Sequence, residues 1–196
     1  MARPKKNQEG PSAQERIEQA FWTLLDRNGY EGITVSALSR TANVSPNTFY
    51  YHYDNIEAVA RKAFGENLIR DIPRFILEGR HEKLDAVISE NKDSLAQRAR
   101  RIALFAASES GILRTIVLES FTRIWMDTIG IDEADLSEEE RLSVDFIAHG
   151  IVSVLARAST LDLARIYPAF LESSLGQGAI AEMRAIERRH SKSQNA

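Results

Sequence analysis

Residues 45–53, Ser-Pro-Asn-Thr-Phe-Tyr-Tyr-His-Tyr, gather two hydroxyls, a carboxamide, three phenols and an imidazole into nine positions with almost no formal charge. Such a set is suited to exchanging hydrogen bonds with a polar surface, base edges and phosphates among them. Patterns that would signal catalysis each lack their context. Gly176-Gln177-Gly178-Ala179-Ile180-Ala181 spells a dinucleotide-binding loop, but no strand precedes it and it reads as a helix break. Ser89-Glu90-Asn91-Lys92 spells the nucleophile motif of penicillin-binding enzymes without its partner motifs. His81-Glu82 lacks the second histidine of a zinc-protease helix, and the four histidines, 52, 81, 149 and 190, have no ligand spacing. Neither an enzyme, a metal site nor a cofactor is expected.

The chain has 196 residues, 43% of them hydrophobic and 27% charged, enough for one domain or for a small module fused to a larger one. It contains no cysteine, so disulfides, thiolate metal sites and cysteine nucleophiles are excluded. No run approaches the ~18 apolar residues of a membrane span, and Met1-Ala2-Arg3-Pro4-Lys5-Lys6 leads into polar sequence. A cytoplasmic protein with no membrane partner is expected. The net charge of −3 means that any nucleic-acid surface must be local.

Apolar residues recur at spacings of three and four almost throughout, with strand signals limited to short β-branched runs such as Ile33-Thr34-Val35, so the expected fold is all-α. Ser12 with Glu15 forms a capping box for a first helix that carries Ile17, Ala20, Phe21, Leu24 and Leu25 inward and stops at Gly29. Thr34 caps a second, short helix ending near Ala42-Asn43, and Ser45-Pro46 starts a third with serine at the cap and proline at the first helical position. Asp54 with Glu57 opens a fourth, running to about 71. Further helices are expected over about 73–90, 94–109, 111–129, 137–159 and 162–188, with a polar loop at Gly130–Leu136. Pro168 either kinks the last helix or begins it.

Two short helices joined by a tight turn at Ala42-Asn43-Val44 make a helix-turn-helix, whose second helix would enter the DNA major groove. Here the sequence resembles the TetR family of transcriptional regulators. The pattern stands as Ile17, Ala20, Leu24-Leu25, Gly29-Tyr30, Thr34-Val35, Leu38, Ala42, Val44-Ser45, Thr48-Phe49-Tyr50-Tyr51-His52-Tyr53 and Asn55, about a quarter of the chain. The resemblance implies a flexible arm at 1–11, a DNA-binding domain at 12–59, a helical regulatory and dimerisation domain at 60–190 and a polar tail at 191–196. It places Ser45, Pro46, Asn47, Tyr50 and Tyr51 near base edges or backbone, and Thr34, Thr48 and His52 on phosphates. Asn47 is the best candidate for base readout, because its amide can both donate to and accept from adenine. Phe49 is expected to point inward, against Leu24 and Leu38; Tyr50 and Tyr53 are open between contact and core.

Three positions depart from the pattern: Asn43 replaces the turn glycine, Ser39 a common alanine, and Ile56 a basic residue after Asn55. The last removes a phosphate contact and shifts weight to Thr34, Ser36, Tyr51, His52 and the arm Arg3, Lys5 and Lys6.

For the larger half, the resemblance implies a homodimer on a palindromic operator and a small-molecule effector that releases it, with helix 54–71 as the link. Phe146, Ile147, Gly150, Ile151, Val154, Leu155 and Ala158 are the dimer candidates; their alternative is an intramolecular core. Phe105, Phe121, Trp125, Met126, His149 and Tyr167 are the pocket candidates, against ordinary packing. The same fold without a small-molecule effector, and a helical interaction adaptor, are the competing readings.

Overall fold

A computed structural model describes residues 10–90, 92–157 and 163–193, all helices and turns. Lys5, Lys6, Ala158 and the side chain of Tyr167 lie outside the described residues. The chain divides into two compact units, Met1–Ala63 and Phe64–Ala196.

In the first unit, α1 (Ala13–Asn28) starts at Ser12, whose Oγ accepts from the Glu15 amide at 3.2 Å while the Glu15 carboxylate accepts from the Ser12 amide at 2.6 Å. It stops at Gly29, where φ of 68° is cheap only for a residue without Cβ. A single 3-10 turn, Tyr30–Gly32, leads to α2 (Val35–Thr41) and α3 (Pro46–His52). Helix α4 (Ile56–Gly65) begins one residue later than expected. Asn55, not Asp54, provides the cap, its Oδ1 accepting from the Ala58 amide at 2.8 Å, and Glu57 is drawn into an i,i+4 pair with Arg61.

Helix α4 also ends at Gly65, short of residue 71; the Asn67 and Leu68 amides turn back to the carbonyls of Phe64 and Gly65. The helix expected over 73–90 is two, α5 (Ile72–Glu78) and α6 (His81–Glu90), separated by Gly79 in the left-handed conformation. Then come α7 (Lys92–Ala106), α8 (Gly111–Ile129) and α9 (Glu138–Arg157). The segment between α8 and α9 is less polar in effect than its composition: Ile131 and Leu136 are buried at either side of a 3-10 turn, Glu133–Asp135.

Pro168 neither kinks a continuous last helix nor begins it. It sits inside α10 (Leu163–Glu172), and the chain breaks at Ser173 before α11 (Ser174–Ser193). Ser173 makes the break, donating through Oγ to the Phe170 carbonyl at 2.6 Å and accepting from the Gly176 amide at 3.0 Å. Gly176 is obligatory there, because a Cβ would collide with the Phe170 carbonyl.

The core of the second unit joins Leu77, Met126, Ile129, Ile131, Leu136, Val144, Met183 and Ile186, drawn from α5, α8, α9, α11 and the connecting loop. A smaller cluster, Ile76, Leu171 and Ile180, lies among α5, α10 and α11. Arg184 ties α11 to the end of α5 by donating through Nε to the Leu77 carbonyl at 2.7 Å. The start of α9 is fastened to the end of α11 by a buried carboxylate. Glu140 completes a capping box with Ser137 and also accepts from Arg189 Nε at 2.8 Å, with His190 Nε2 at 3.1 Å.

Burial alone would raise the pKa of Glu140, but the hydrogen bonds from Arg189, His190 and Ser137 outweigh it and lower the pKa to about 2. A carboxylate with a depressed pKa stabilises the fold above its unfolded value, and the contribution is lost as pH falls toward the folded one. The melting temperature of the protein should therefore fall between about pH 5 and about pH 3, and Glu140→Gln should flatten that dependence while lowering stability at neutral pH. Thermal melts of both proteins across that range check it.

Candidate functional site

Helix α3 has seven residues, and its shape is set by groups at both ends. Ser45 caps it, accepting from the Thr48 amide at 3.0 Å, and Pro46 takes the first position. The Ser45 and Thr48 hydroxyls lie 2.8 Å apart. One proton serves that bond whichever oxygen donates it, so the pair keeps one hydroxyl proton for an outside acceptor. The preceding turn closes with the Val44 amide on the Ser39 carbonyl at 2.9 Å and with Asn43 at φ 52°, a conformation asparagine enters more cheaply than other non-glycine residues. Thr34 caps α2 in the same way, accepting from the Ala37 amide at 3.1 Å.

The helix divides cleanly. Phe49 is fully buried, as is Leu38, and α3 packs on α1 and α2. Tyr53, left open by the sequence, is buried, and its hydroxyl donates to the Glu18 carboxylate at 2.5 Å. Gln14 donates to the same oxygen at 3.2 Å. Ser45, Pro46, Asn47, Tyr50, Tyr51 and His52 are exposed, Tyr51 to 84% and edge-on to the His52 ring. Thr34 and Ser36 are exposed on α2, and Thr48 is half-buried. The structure thus brings nearly all the expected DNA-contacting residues of α2 and α3 to the surface of one small unit. Glu18 and Arg16 were not anticipated; Arg16 Nε donates to the Ala42 carbonyl at 3.1 Å. The one sequence signal for Glu18 is an acid on the apolar face of α1, between Ile17 and Phe21.

Tyr30 stays protonated: burial raises its pKa first, and the Glu57 and Glu31 carboxylates add to that.

In the second unit the expected pocket residues separate. Phe121 and Trp125 line a small apolar cleft with Thr122, Val144, Ile147, Ala148, Ile151 and Met183, with a free volume of about 10 Å³. Met126 belongs to the core, and Phe105 stacks on Phe64 with ring centroids 4.8 Å apart. His149 is exposed on α9, its Nδ1 2.8 Å from the Asp145 carbonyl. The expected dimer residues separate too. Phe146, Gly150 and Val154 are exposed, Leu155 is half-buried, and Ile147 and Ile151 turn into the cleft. Leu142 and Leu175, absent from the expectation, are 66% and 74% exposed. Among the described residues no cluster of side chains could hold a metal ion, and no helix is long and apolar enough to cross a membrane.

A capped three-helix arrangement that buries one side of its short last helix and exposes amide, hydroxyl and aromatic groups on the other has the geometry of a helix-turn-helix. Residues 19–63, most of the N-terminal unit, match the family model described as bacterial regulatory proteins, tetR family. Over 55 residues the chain is 38% identical to the biofilm operon icaADBC HTH-type negative transcriptional regulator IcaR of Staphylococcus epidermidis, covering 28% of this chain and 29% of that protein. Over 103 residues it is 24% identical to the HTH-type transcriptional regulator UidR of Escherichia coli K12, covering 50% of this chain and 53% of the relative. The chain thus matches about half the length of one relative and less than a third of the other.

Ser39, one of the departures from the family pattern, leaves a mark on stability. Its Oγ is buried in α2 and has no hydrogen-bond partner among the described residues. Removing an unpaired buried hydroxyl and improving helix propensity both favour alanine, so Ser39→Ala should raise the unfolding free energy by about 1 kcal/mol. Urea titration of the two proteins measures it.

Proposed function

We propose that the chain is a sequence-specific DNA-binding transcriptional regulator, a repressor that acts in the cytoplasm as a homodimer on a palindromic operator. The observation that carries the reading is α3: its buried Phe49 and Tyr53 fix a helix whose remaining side chains are free to meet base edges. The match of residues 19–63 to a family of regulators supports it, and the negative regulator among the relatives supports repression.

Pairing is supported by α9 and α11, which pack together and both leave apolar side chains in solvent. Leu142, Phe146, Gly150 and Val154 follow one another at intervals of four along α9, with Phe146 76% exposed. Such a row packs ridge into groove against a copy of itself, and Gly150 lets the backbones approach. One seven-residue helix reads few base pairs, so two-fold pairing also supplies the specificity a single reading head lacks.

Release by a small molecule would act as a population shift, for which a coupling of about 1–3 kcal/mol suffices. Phe121 and Trp125 would contact the ligand in the apolar cleft among α8, α9 and α11. A second reading, the same regulator without a small-molecule effector, is favoured by the size of that cleft, whose free volume of about 10 Å³ is far below the ~300 Å³ of ordinary ligand pockets.

Selection of bound sequences from randomised duplex DNA tests the function. A palindrome is expected; recovery of no motif, with only weak salt-sensitive binding, would overturn the reading. On the recovered site Asn47→Ala should relax preference at one base position per half-site by about 1–3 kcal/mol, and an equal loss on every sequence would remove Asn47 from base readout. Phe146→Glu should convert the dimer to a folded monomer in sedimentation analysis, with helicity retained and affinity for the palindrome reduced; a persistent dimer would place the interface elsewhere.

A further inference from the structure

The bonds that cap the start of α3 are internal to it. Ser45 and the Thr48 amide, 3.0 Å apart, move with the helix, so they shape α3 without setting how it is rolled about its axis. Phe49 is fully buried, but apolar contact is non-directional and tolerates a small rotation. The far end differs. Tyr53, 6% exposed, reaches from the end of α3 to Glu18 of α1, 7% exposed, and its hydroxyl donates to Glu18 Oε1 at 2.5 Å. Gln14, one turn earlier on α1, donates to the same oxygen at 3.2 Å. The Tyr53 ring centroid lies 6.2 Å from that of Phe49, which meets the exposed Tyr50 edge-on at 5.3 Å. Contacts thus run from a carboxylate on α1 to the exposed face of α3. Burying a carboxylate costs free energy that an apolar pair of the same shape would not, so packing alone does not account for an acid at this place.

We infer that Glu18 is a positioning residue for base readout: by holding the Tyr53 hydroxyl it fixes the roll of α3 against α1, and with it the direction of Asn47 and Tyr50. The inference rests on the DNA-binding reading above. Side-chain tips lie roughly 5–6 Å from a helix axis, so a roll of about 10° moves them by about 1 Å. That exceeds the spread of roughly 2.7–3.2 Å within which a hydrogen bond to a base edge is made.

The test compares full-length wild type, Glu18→Gln, Tyr53→Phe, and Glu18→Met combined with Tyr53→Phe. Thermal melts come first; the combined variant should melt close to wild type, because an apolar pair of similar shape replaces both partners. Each protein is then titrated, well below its own melting temperature, with the selected palindrome and with the same duplex changed at one base pair in each half-site. Tyr53→Phe and the combined variant should lose several-fold in the ratio of the two affinities, while affinity for the changed duplex, carried by phosphate contacts, holds at the same salt. Glu18→Gln keeps an oxygen that accepts from the phenol and should retain most of the ratio. Tyr53→Phe removes a single oxygen and carries the test by itself if the combined variant melts too low to titrate. A wild-type ratio in a folded variant that lacks the bond, or an equal loss on both duplexes, would overturn the positioning role and leave the pair as packing. Wild type that selects no palindrome would instead sink the DNA-binding reading, and this inference with it.

Discussion

A helix of seven residues cannot hold itself together. In water, isolated helices shorter than ~12–15 residues are marginal at best, because ordering the first turn costs more than its few hydrogen bonds return. The recognition helix α3 is that short, so its existence and its direction come from what it is packed against. Phe49 supplies the main term by disappearing among α1 and α2; burial of such a ring contributes roughly 1.5–3 kcal/mol. Ser45 settles the first-turn amides, and Tyr53 closes the far end on Glu18. Orientation follows from the same contacts: with Phe49 and Tyr53 inward, the helical period turns Asn47, Tyr50 and Tyr51 outward together. The side chains facing solvent contribute little to that placement, which leaves them free to vary without loss of the helix.

Features decided within four or five residues are the ones legible in the sequence. Ser12, Thr34, Ser45 and Ser137 all cap the helices they precede, and Gly29 ends α1. Asp54 misleads because Asn55 lies beside it with the same capping chemistry, and one residue of register decides which of them faces the amides. The breaks at Gly79 and Ser173 were hidden because apolar periodicity runs on across them, and a change of helix direction need not interrupt it. Arg16 and Glu18 were hidden for another reason. Their partners, Ala42 and Tyr53, are 26 and 35 residues away, and no local pattern announces a contact of that span.

Helix α9 shows the same limit in a different form. Its apolar residues fill a stripe wide enough to serve two faces, and periodicity cannot say where the core ends and an open surface begins. The positions of α7, α8 and α11 decide it, turning Ile147 and Ile151 inward and leaving Leu142, Phe146, Gly150 and Val154 in water. Leu175 on α11 escapes a reading based on α9 alone. The Glu140 clamp to Arg189 and His190 fixes the ends of the two helices that carry these open residues, so the face is held in shape before any partner arrives.

The charge of the reading head bears on how such a protein finds its site. Affinity for any DNA grows with each cation placed on a phosphate and is the same for every sequence, whereas base contacts discriminate. Here Ile56 stands where the family pattern often has a basic residue, α3 contains no Lys, Arg, Asp or Glu, and residues 10–63 have more acids than bases. On the proposed reading, non-specific attraction by the described helices is low, and discrimination would rest on uncharged groups held in fixed positions. A weak non-specific grip would favour release from the wrong sequence and leave the ratio between right and wrong sites to the proposed base contacts of Asn47 and to the proposed pairing. The rigidity of the Ser45, Phe49 and Tyr53 anchors is then a requirement of specificity, because uncharged hydrogen-bonding groups discriminate only when their geometry is held.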